Sequence, residues 1–252
     1  MNHLLKVALA TAASTLRGWQ GMKSEPAAVQ PEKNLKLYEF EACPYCRLVR
    51  EALTELALDA DIYPCPKGGE RFRPEVLELG GKAQFPFLVD ENTGVTMYES
   101  ADIIGYLYTT YAKRPVPLRV KVALPQTLSS LANSALGFGA GTKVRKSKKP
   151  EQMLTLYSFE ASPFCRPVRD VLCELEIPYH LVNLGKEQWA DMGLNGVHAA
   201  VGEYNPVKGG KREQFMAKTN KMMVPYLEDP NTGKAMFESR AIVAYLLETY
   251  GG

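Results

Sequence analysis

The sequence has no long apolar run and little net charge, and each shortage excludes a class of protein. No apolar stretch approaches the roughly 18 residues that a membrane-spanning helix needs. The chain has 30 Lys and Arg against 28 Asp and Glu, which gives a net charge of +2, and it has no long basic block. This balance does not indicate a nucleic-acid partner. We therefore predict neither a transmembrane segment nor nucleic-acid binding.

Cysteine and histidine are also scarce. The 252 residues include five cysteines, an odd number, whereas a secreted disulfide scaffold would carry a denser and even set. The count favours a reducing compartment and one redox-active pair. The three histidines, His3, His180 and His198, have no metal-ligand spacing with the cysteines. One C-x-x-C pair cannot close a tetrahedral zinc site, so we predict no bound metal.

The sequence does contain a long internal repeat. FEACPYCRLVREALTEL, which begins at Phe40, returns as FEASPFCRPVRDVLCEL at Phe159, with eleven of seventeen positions identical. DENTGVTMYESADIIGYLYTTY, which begins at Asp90, returns as DPNTGKAMFESRAIVAYLLETY at Asp229. Because repeats of this length mark repeated structural units, we predict two copies of one fold.

The repeat predicts a first unit over residues 1–115 and a second unit over residues 116–252. The second copy carries an extra segment, KEQWADMGLNGVHAAVGEY, before its KGG. The seam at 146–152 is charged and contains a proline, so we expect it to be exposed and to join two complete modules. KVAL recurs at Lys6 and Lys121 and predicts a helix at the start of each unit. The first of these resembles a transit peptide, but the internal copy favours a helix that packs across the seam.

Each unit predicts the same order of elements, βαβ followed by ββα. The β-rich runs LKLYEF and LTLYSF precede amphipathic helices, and a second strand follows each helix. A strand–helix–strand passage of this length predicts a right-handed parallel crossover. A hairpin that turns at Asn92-Thr93-Gly94 follows, and then a helix with Ser100, or Ser239 in the second unit, as its N-cap. The fold class is therefore α/β.

The C-P-Y-C motif of the first unit is the main candidate for chemistry. It follows a strand directly and occupies the first turn of a helix, where unpaired N–H groups and the helix dipole favour a thiolate. We predict that Cys43 is an exposed nucleophile and that Cys46 resolves the mixed disulfide. Pro44 suits the first helical turn, and Arg47 and Arg50 would add positive charge near the thiolate.

Two further pairs of residues recur in both units. A proline begins each hairpin strand, where it belongs to a sheet edge or a special turn. A glutamate and a serine precede the last helix, whose N-terminus could bind a carboxylate or could simply be capped. These pairs are Phe85-Pro86 and Glu99-Ser100 in the first unit, and Val224-Pro225 and Glu238-Ser239 in the second.

Together, C-P-Y-C, the strand-opening proline and the Glu-Ser pair resemble glutaredoxins and the glutathione-transferase N-terminal domain. Both are thioredoxin-fold modules, and the resemblance covers residues 35–111 and 154–250. The tandem arrangement looks like a plant and algal plastid family of double glutathione-transferase-N-like proteins. The resemblance implies two tandem thioredoxin-fold, glutaredoxin-like domains, glutathione as a co-substrate and a chloroplast location. Without this family resemblance, a cytoplasmic location is expected.

The resemblance also implies roles for single positions. Both strand-opening prolines would be cis, the residue before each would hydrogen-bond the cysteine of glutathione, and each Glu-Ser pair would receive its γ-glutamyl end. A lysine four residues before each proline is a further candidate for the glycine carboxylate. The implied glutathione-binding residues of the first unit are Tyr45, Lys82, Phe85, Pro86, Glu99 and Ser100. Those of the second are Ser162, Cys165, Lys221, Val224, Pro225, Glu238 and Ser239.

The predicted function is that of a glutathione-dependent thiol–disulfide oxidoreductase. Cys43 and Cys46 would act on a disulfide-containing protein or small molecule. Ser162 replaces the nucleophile in the second unit, which we predict to be redox-inactive because Cys165 alone is a poor nucleophile. Two alternatives are a non-catalytic scaffold that binds glutathione or a protein, and a transferase-like enzyme in which Ser162 hydrogen-bonds the glutathione thiolate. No all-helical second domain follows either unit, which weakens the transferase alternative.

Overall fold

Each half of the chain forms an α/β unit in the computed structural model, which describes residues 2–117, 139–193, 199 and 203–252. The elements of the first half are α1 (His3–Leu16), β1 (Leu35–Glu39), α2 (Pro44–Glu55), β2 (Ala60–Pro64), α3 (Arg73–Gly80), β3 (Phe87–Asp90), β4 (Val95–Met97), α4 (Ser100–Leu107) and a π-helical turn (Tyr108–Ala112).

The second half repeats this order. Its elements are β5 (Leu154–Ser158), α5 (Arg166–Glu174), β6 (Tyr179–Asn183), a short 3₁₀ helix (Trp189–Asp191), α6 (Lys211–Thr219), β7 (Tyr226–Asp229), β8 (Lys234–Phe237) and α7 (Ser239–Tyr250). The helix predicted around Lys121 and the residue His198 lie outside the described residues.

All eight strands form one sheet in the order β4-β3-β1-β2-β6-β5-β7-β8. β1 pairs with β2 in parallel, as β5 does with β6, and every other neighbouring pair is antiparallel. The predicted parallel crossover and the predicted hairpin are therefore confirmed in both halves. The chain consists of two tandem thioredoxin-fold domains.

The two domains are joined through their second strands. β2 pairs with β6, and Asp61 lies opposite His180 at the centre of the ladder, where the two side chains are 2.7 Å apart. Pairing covers an edge that each domain would otherwise expose. One hydrophobic cluster includes Leu53 of the first domain and Leu172 of the second. The exposed seam is therefore not the only connection between the two domains, because sheet and core continue from one into the other.

The predicted N-terminal helix is present as α1, and it lies against the second domain rather than the first. It begins after Asn2, whose side chain accepts a hydrogen bond from the Leu4 N–H. Its buried face is made of Ala10, Ala13 and Ser14, small residues that allow close packing against α5. The predicted packing across the seam is confirmed.

Two helices were not predicted, α3 and its counterpart α6. Val76 is the buried residue of α3, while Leu77 and Leu79 are exposed. The apolar residues of α3 therefore do not form a stripe on one face, and the sequence has no clear helical period there. Both helices follow a KGG turn and connect the second strand of a domain to its hairpin.

Candidate functional site

The C-P-Y-C motif lies where the sequence predicts it, between β1 and α2. Cys43 is the N-cap residue of α2, and its Sγ accepts a hydrogen bond from the Cys46 N–H at 3.3 Å. Pro44 follows as the first helical residue, where its missing N–H leaves no donor unpaired. The sulfur of Cys43 therefore takes the place of the oxygen that usually caps a helix, in the positive field of the helix N-terminus.

The two thiols of the motif differ in acidity. A hydrogen bond from the Cys46 side chain lowers the pKa of Cys43, and the N–H groups of Cys46 and Tyr45 and the charge of Arg50 lower it further, against the opposing effect of burial. Burial raises the pKa of Cys46 well above its usual value. This order is the one that a nucleophile at Cys43 and a resolving thiol at Cys46 require.

Cys43 is less accessible than the sequence predicts. Its side chain was expected at the exposed end of the helix, but the residue is only 3 % exposed, so that expectation is wrong. A loop from the start of the second half lies against the residues that precede the motif, where the Gly141 carbonyl accepts a hydrogen bond from the Ala42 N–H at 3.5 Å. Gly141 has a φ of +69°, and a Cβ there would lie 2.8 Å from the Cβ of Glu41. Tyr45, which is 46 % exposed, marks the open side of the motif.

The strand-opening prolines have the geometry that the resemblance implies. The peptide bonds Phe85-Pro86 and Val224-Pro225 are both cis. Cis bonds are rare even before proline, so their presence at the same place in both domains is a specific feature of the shared fold. The guanidinium of Arg73 lies 4.8 Å from the centre of the Phe85 ring and donates to the Pro66 and Cys65 carbonyls. Sequence reasoning missed Arg73, because nothing in the run ERFR distinguishes it.

The Glu-Ser pairs differ from the prediction in one respect. Ser100 and Ser239 are the first residues of their helices rather than the N-caps, and neither helix has a side-chain capping bond. The cap position belongs to Glu99 and Glu238, whose φ values are 64° and 69°. A left-handed glutamate is strained, and strain of this kind is often kept at binding sites. The arrangement leaves backbone N–H groups at each helix start for an anion.

The two candidate lysines each lie over an aromatic ring. Lys82 Nζ is 4.7 Å from the centre of the Tyr98 ring, and the Tyr98 hydroxyl donates to the Lys82 carbonyl. Lys221 Nζ is 5.4 Å from the centre of the Phe237 ring. Gln84, which sequence reasoning did not single out, donates a hydrogen bond to the Glu99 carboxylate.

Of the residues predicted in the second domain, Val224, Pro225, Glu238 and Ser239 line a cavity of only about 10 Å³, together with Phe164 and Met223. Ser162, Cys165 and Lys221 do not line it. The Ser162 hydroxyl accepts a hydrogen bond from the Cys165 N–H at 3.3 Å, as Cys43 does from Cys46. Burial raises the pKa of Cys165. A cavity of this size cannot hold a tripeptide.

Helix α1 and the chain after it cover this second site. His3 Nε2 lies 2.9 Å from Ser239 Oγ, and the Ser14 hydroxyl donates to the Ala161 carbonyl at 2.9 Å. The Gly21 carbonyl accepts a hydrogen bond from the Ala161 N–H at 3.1 Å. The N-terminal segment therefore binds next to the serine that replaces Cys43 and at the helix start that would receive the γ-glutamyl group.

The glutamates and arginines of the repeated phrase form an ion cluster between the domains. Arg50 Nε lies 2.9 Å from Glu160, and Arg169 Nε lies 3.1 Å from Glu41, so the two copies of the phrase exchange partners. Glu39 also contacts Arg50, and all of these side chains are buried. Burial alone would raise the pKa of Glu160, but Arg169, Arg50 and Arg47 lower it to about 2. A buried carboxylate between guanidinium groups stays ionised.

This cluster corrects the role predicted for two arginines. Arg47 pairs with Glu51 of the same helix at 3.2 Å, and Arg50 pairs with Glu39 of the same domain. Both also approach Glu160 of the second domain, at 3.7 and 2.9 Å, so their main partners are carboxylates rather than the thiolate. Arg50 still lowers the pKa of Cys43 as a smaller effect. Cys65 and Cys173 are buried in the core as small apolar residues.

Within the ranges that the structure describes, no group of three or more His, Cys, Asp or Glu side chains is placed to hold a metal. No helix in those ranges is both long and apolar enough to cross a membrane.

The family described as "Glutathione S-transferase, N-terminal domain" matches residues 37–115 and 156–252. Similar solved structures include a Bombyx mori glutathione transferase, at 30% identity over 34% of this chain and 39% of that chain, with a TM-score of 0.31. A delta-class glutathione transferase of Nilaparvata lugens is 28% identical over 32% and 37%, with a TM-score of 0.29. The trimeric Leishmania transferase TDR1 is 13% identical over 85% and 66%, also with a TM-score of 0.29. The match therefore spans less than half the length of the Bombyx mori and Nilaparvata lugens transferases. The search of curated proteins found no match.

Proposed function

The chain belongs to the glutathione S-transferase N-terminal domain family, and on that premise we propose that it is a glutathione-dependent thiol–disulfide oxidoreductase. Cys43 and Cys46 of the first domain carry the reaction, and the substrate is a disulfide-containing protein or small molecule. The observation that carries the proposal is the position of Cys43 as the N-cap of α2, where its sulfur accepts a hydrogen bond from the Cys46 N–H. Family membership alone supports a glutathione-related function and leaves the kind of reaction open.

The reaction proceeds by thiol–disulfide exchange. The Cys43 thiolate attacks one sulfur of the substrate disulfide, which forms a mixed disulfide and releases one substrate thiolate to take up a proton. Cys46 loses its proton and attacks Cys43 Sγ, which releases the second substrate thiol and leaves a Cys43–Cys46 disulfide. One glutathione thiolate then attacks Cys43 Sγ and frees Cys46. A second attacks the bound glutathione sulfur, which restores Cys43 and yields glutathione disulfide.

Glutathione binds in this proposal to the residues that the resemblance implies. The backbone of Phe85, before the cis-Pro86, pairs with the cysteine of glutathione, while the start of α4 at Glu99 and Ser100 receives the γ-glutamyl end. Both features are supported by the cis bond and by the left-handed φ of Glu99. Tyr45 and Lys82 complete the set, Tyr45 from the open side of the motif and Lys82 toward the glycine carboxylate.

We also propose that the second domain is redox-inactive. The replacement of the nucleophile by Ser162, the raised pKa of Cys165 and the cover formed by α1 all support this. The same cover weighs against a transferase that uses Ser162. A non-catalytic scaffold is the second candidate function for the whole chain, and the closed second site is the observation that favours it. A plastid location stays a prediction of the resemblance.

The test is the glutathione-dependent reduction of hydroxyethyl disulfide, coupled to glutathione reductase. We expect turnover by the wild type, a fall to background in Cys43→Ser, and unchanged turnover in the matched control Cys165→Ser, because only Cys43 combines a low pKa with a resolving partner. A wild type without turnover would favour the scaffold. Full turnover by Cys43→Ser would place the reactive thiol elsewhere.

A further inference from the structure

A cavity with a volume of about 610 Å³ lies away from the C-P-Y-C motif. Three segments enclose it: the chain after α1, the end of the first domain, and the extra segment that only the second copy of the repeat carries. The residues that line it are Lys23, Ser24, Glu25, Glu55, Tyr108, Arg114, Pro115, Pro117, Lys186, Glu187, Gln188, Trp189 and Met192. A volume of this size is within the usual range for small-molecule sites.

Lys186 is a buried cation on the wall of this cavity. Its ammonium donates to the Gly193 carbonyl at 2.5 Å and lies 5.9 Å from the centre of the Phe159 ring. It forms no ion pair with any residue that the structure describes. Burial, helped by Arg212 and opposed by Asp191, lowers its pKa to about 8. A buried ammonium without a carboxylate partner is costly, and an anion beside it would remove that cost.

The acidic residues of the wall differ in their contacts. Glu25 pairs with Arg114, and Glu55 accepts a hydrogen bond from the Tyr108 hydroxyl at 3.2 Å. One oxygen of Glu187 accepts a hydrogen bond from the Lys211 N–H at 3.2 Å, while its buried Oε2 has no hydrogen-bond partner among the described residues. Burial raises the pKa of Glu187, which favours its neutral form and leaves Lys186 as the buried cation of this wall.

Ser24 and Trp189 add a second donor and an apolar wall. The Ser24 N–H donates to the Lys186 carbonyl at 2.8 Å, so the two residues are neighbours, and the buried Ser24 hydroxyl has no hydrogen-bond partner among the described residues. Trp189 is 74 % exposed, although a tryptophan normally buries most of its ring. Pro115, Pro117 and Met192 make the rest of the apolar lining.

We propose that this cavity binds a small organic anion that carries a planar ring. Its carboxylate or sulfonate meets the Lys186 ammonium and the Ser24 hydroxyl, and its ring packs on Trp189. Glu55 ends α2 and Cys43 caps its start, so the cavity lies about 18 Å along that helix from the reactive thiol. The ligand is therefore not a partner in the exchange reaction, and its binding does not depend on the proposed function.

The test is fluorescence titration with 2-naphthoate, a planar carboxylate that has no thiol. The chain has two tryptophans, so Trp19→Phe leaves Trp189 as the reporter. We expect a saturable change in Trp189 emission that Lys186→Met weakens by roughly tenfold or more, since one charge-assisted contact is lost. Lys67→Met is the matched control, because Lys67 occupies the same place after β2 and forms the equivalent backbone bridge.

Three results would overturn the proposal. The emission could fail to saturate up to the solubility limit of naphthoate, or the wild type and Lys186→Met could bind naphthoate with equal affinity. The third is that the neutral 2-naphthalenemethanol binds the wild type as tightly as naphthoate does. Circular dichroism of each variant checks that its fold is retained, and calorimetry of Trp189→Ala measures the contribution of the ring without the reporter. Saturating glutathione should leave naphthoate binding unchanged, and competition between them would place naphthoate in a glutathione site instead.

Discussion

Glu39 is the position where the ion cluster departs from the symmetry of the repeat, since its counterpart in the second domain is Ser158. Three buried carboxylates, those of Glu39, Glu41 and Glu160, share the guanidinium groups of Arg50 and Arg169. Burial raises the pKa of Glu39 to about 8, against the attraction of Arg50. The contact with Arg50 alone would suggest an ionised Glu39. We favour the protonated form at neutral pH, because the effect of burial on Glu39 exceeds the attraction of Arg50.

A pH-dependent stability follows from that proton. The folded-state pKa of Glu39 is above the unfolded value, so its contribution is complete below about pH 4.5 and is lost as the pH rises through about 8. Between pH 6 and pH 8 the free energy of unfolding should fall by about 2 kcal/mol, and Glu39→Gln should remove this fall. Urea unfolding at both pH values measures it. Glu91→Gln, an exposed ion-pair change, is the control, and an unchanged pH slope in Glu39→Gln would contradict the assignment.

Thiol acidity gives a second prediction at the scale of single residues. The pKa of Cys43 is lowered, whereas burial raises the pKa of each of the other four cysteines. Iodoacetamide at mildly acidic pH should therefore modify Cys43 first, as peptide mass spectrometry would show. Its burial will slow the absolute rate without changing the order. Labelling of Cys165 as fast as Cys43 would remove the basis of the proposed mechanism.

At the scale of single residues, the sequence predicted which residues form the candidate site better than it predicted which side chains contact them. The motif, the order of its thiols and the cis prolines follow from local pattern and resemblance. The burial of Cys43 does not, because it depends on tertiary packing rather than on the local pattern. Arg47 and Arg50 were assigned to the thiolate for the same reason, since Glu160, which both approach, belongs to the other domain and becomes evident only once both domains are in place.

Among the elements, α1 has the most unusual position. It precedes the first domain in sequence and covers the site of the second. Two side-chain contacts attach it there, from His3 near its start and from Ser14 near its end, and its C-cap Arg17 forms a buried ion pair with Glu51. Because only Ala10, Ala13 and Ser14 of the helix are buried, it should open more readily than the sheet below it.

Ser14→Ala should therefore loosen α1 without changing the fold. Loss of the buried bond to the Ala161 carbonyl costs about 1 kcal/mol, which corresponds to roughly fivefold faster amide exchange in α1. Hydrogen–deuterium exchange measures it, with Thr15→Ala as the control, because the Thr15 hydroxyl bonds only within its own helix, to Thr11. Equal exchange in the two variants would show that the Ser14 contact does not hold the cover.

Elements with strong apolar periodicity were predictable and the others were not. The helices α2 and α5 follow from amphipathic runs, and both hairpins from the D-x-N-T-G turns. α3 and α6 were missed, because α6 has the polar sequence KREQFMAKT and buries only Arg212 and Phe215. Their helical state depends on packing against the sheet, for example of Phe215 against Tyr157 and Tyr226.

At the scale of the whole molecule, the sequence predicted two copies but not how they join. Both strands of the central pair, ADIYP and YHLVN, look like ordinary second strands, and nothing in either marks it as the partner of the other. The seam was expected to be exposed, and most of its residues are, yet the Ser147 backbone pairs with Gly251, and Arg71 of the first domain donates to the Ser147 carbonyl at 2.7 Å. These contacts connect the seam to both domains.

A shared sheet and core should make the two domains unfold together. Leu53 is fully buried in the hydrophobic cluster that spans both, so Leu53→Ala should lower the free energy of unfolding by about 2–5 kcal/mol. If the domains unfold as one unit, the exchange rates of the slowest-exchanging amides of β5, in the other domain, must rise by the factor that this loss of free energy implies. The exchange rates of the corresponding amides of β1 must rise to the same extent. Native-state hydrogen exchange measures both strands in one experiment. Leu77→Ala, at an exposed position of α3, should change neither. Acceleration confined to β1 would mean that the β2–β6 ladder and the ion cluster join two domains that remain independently stable.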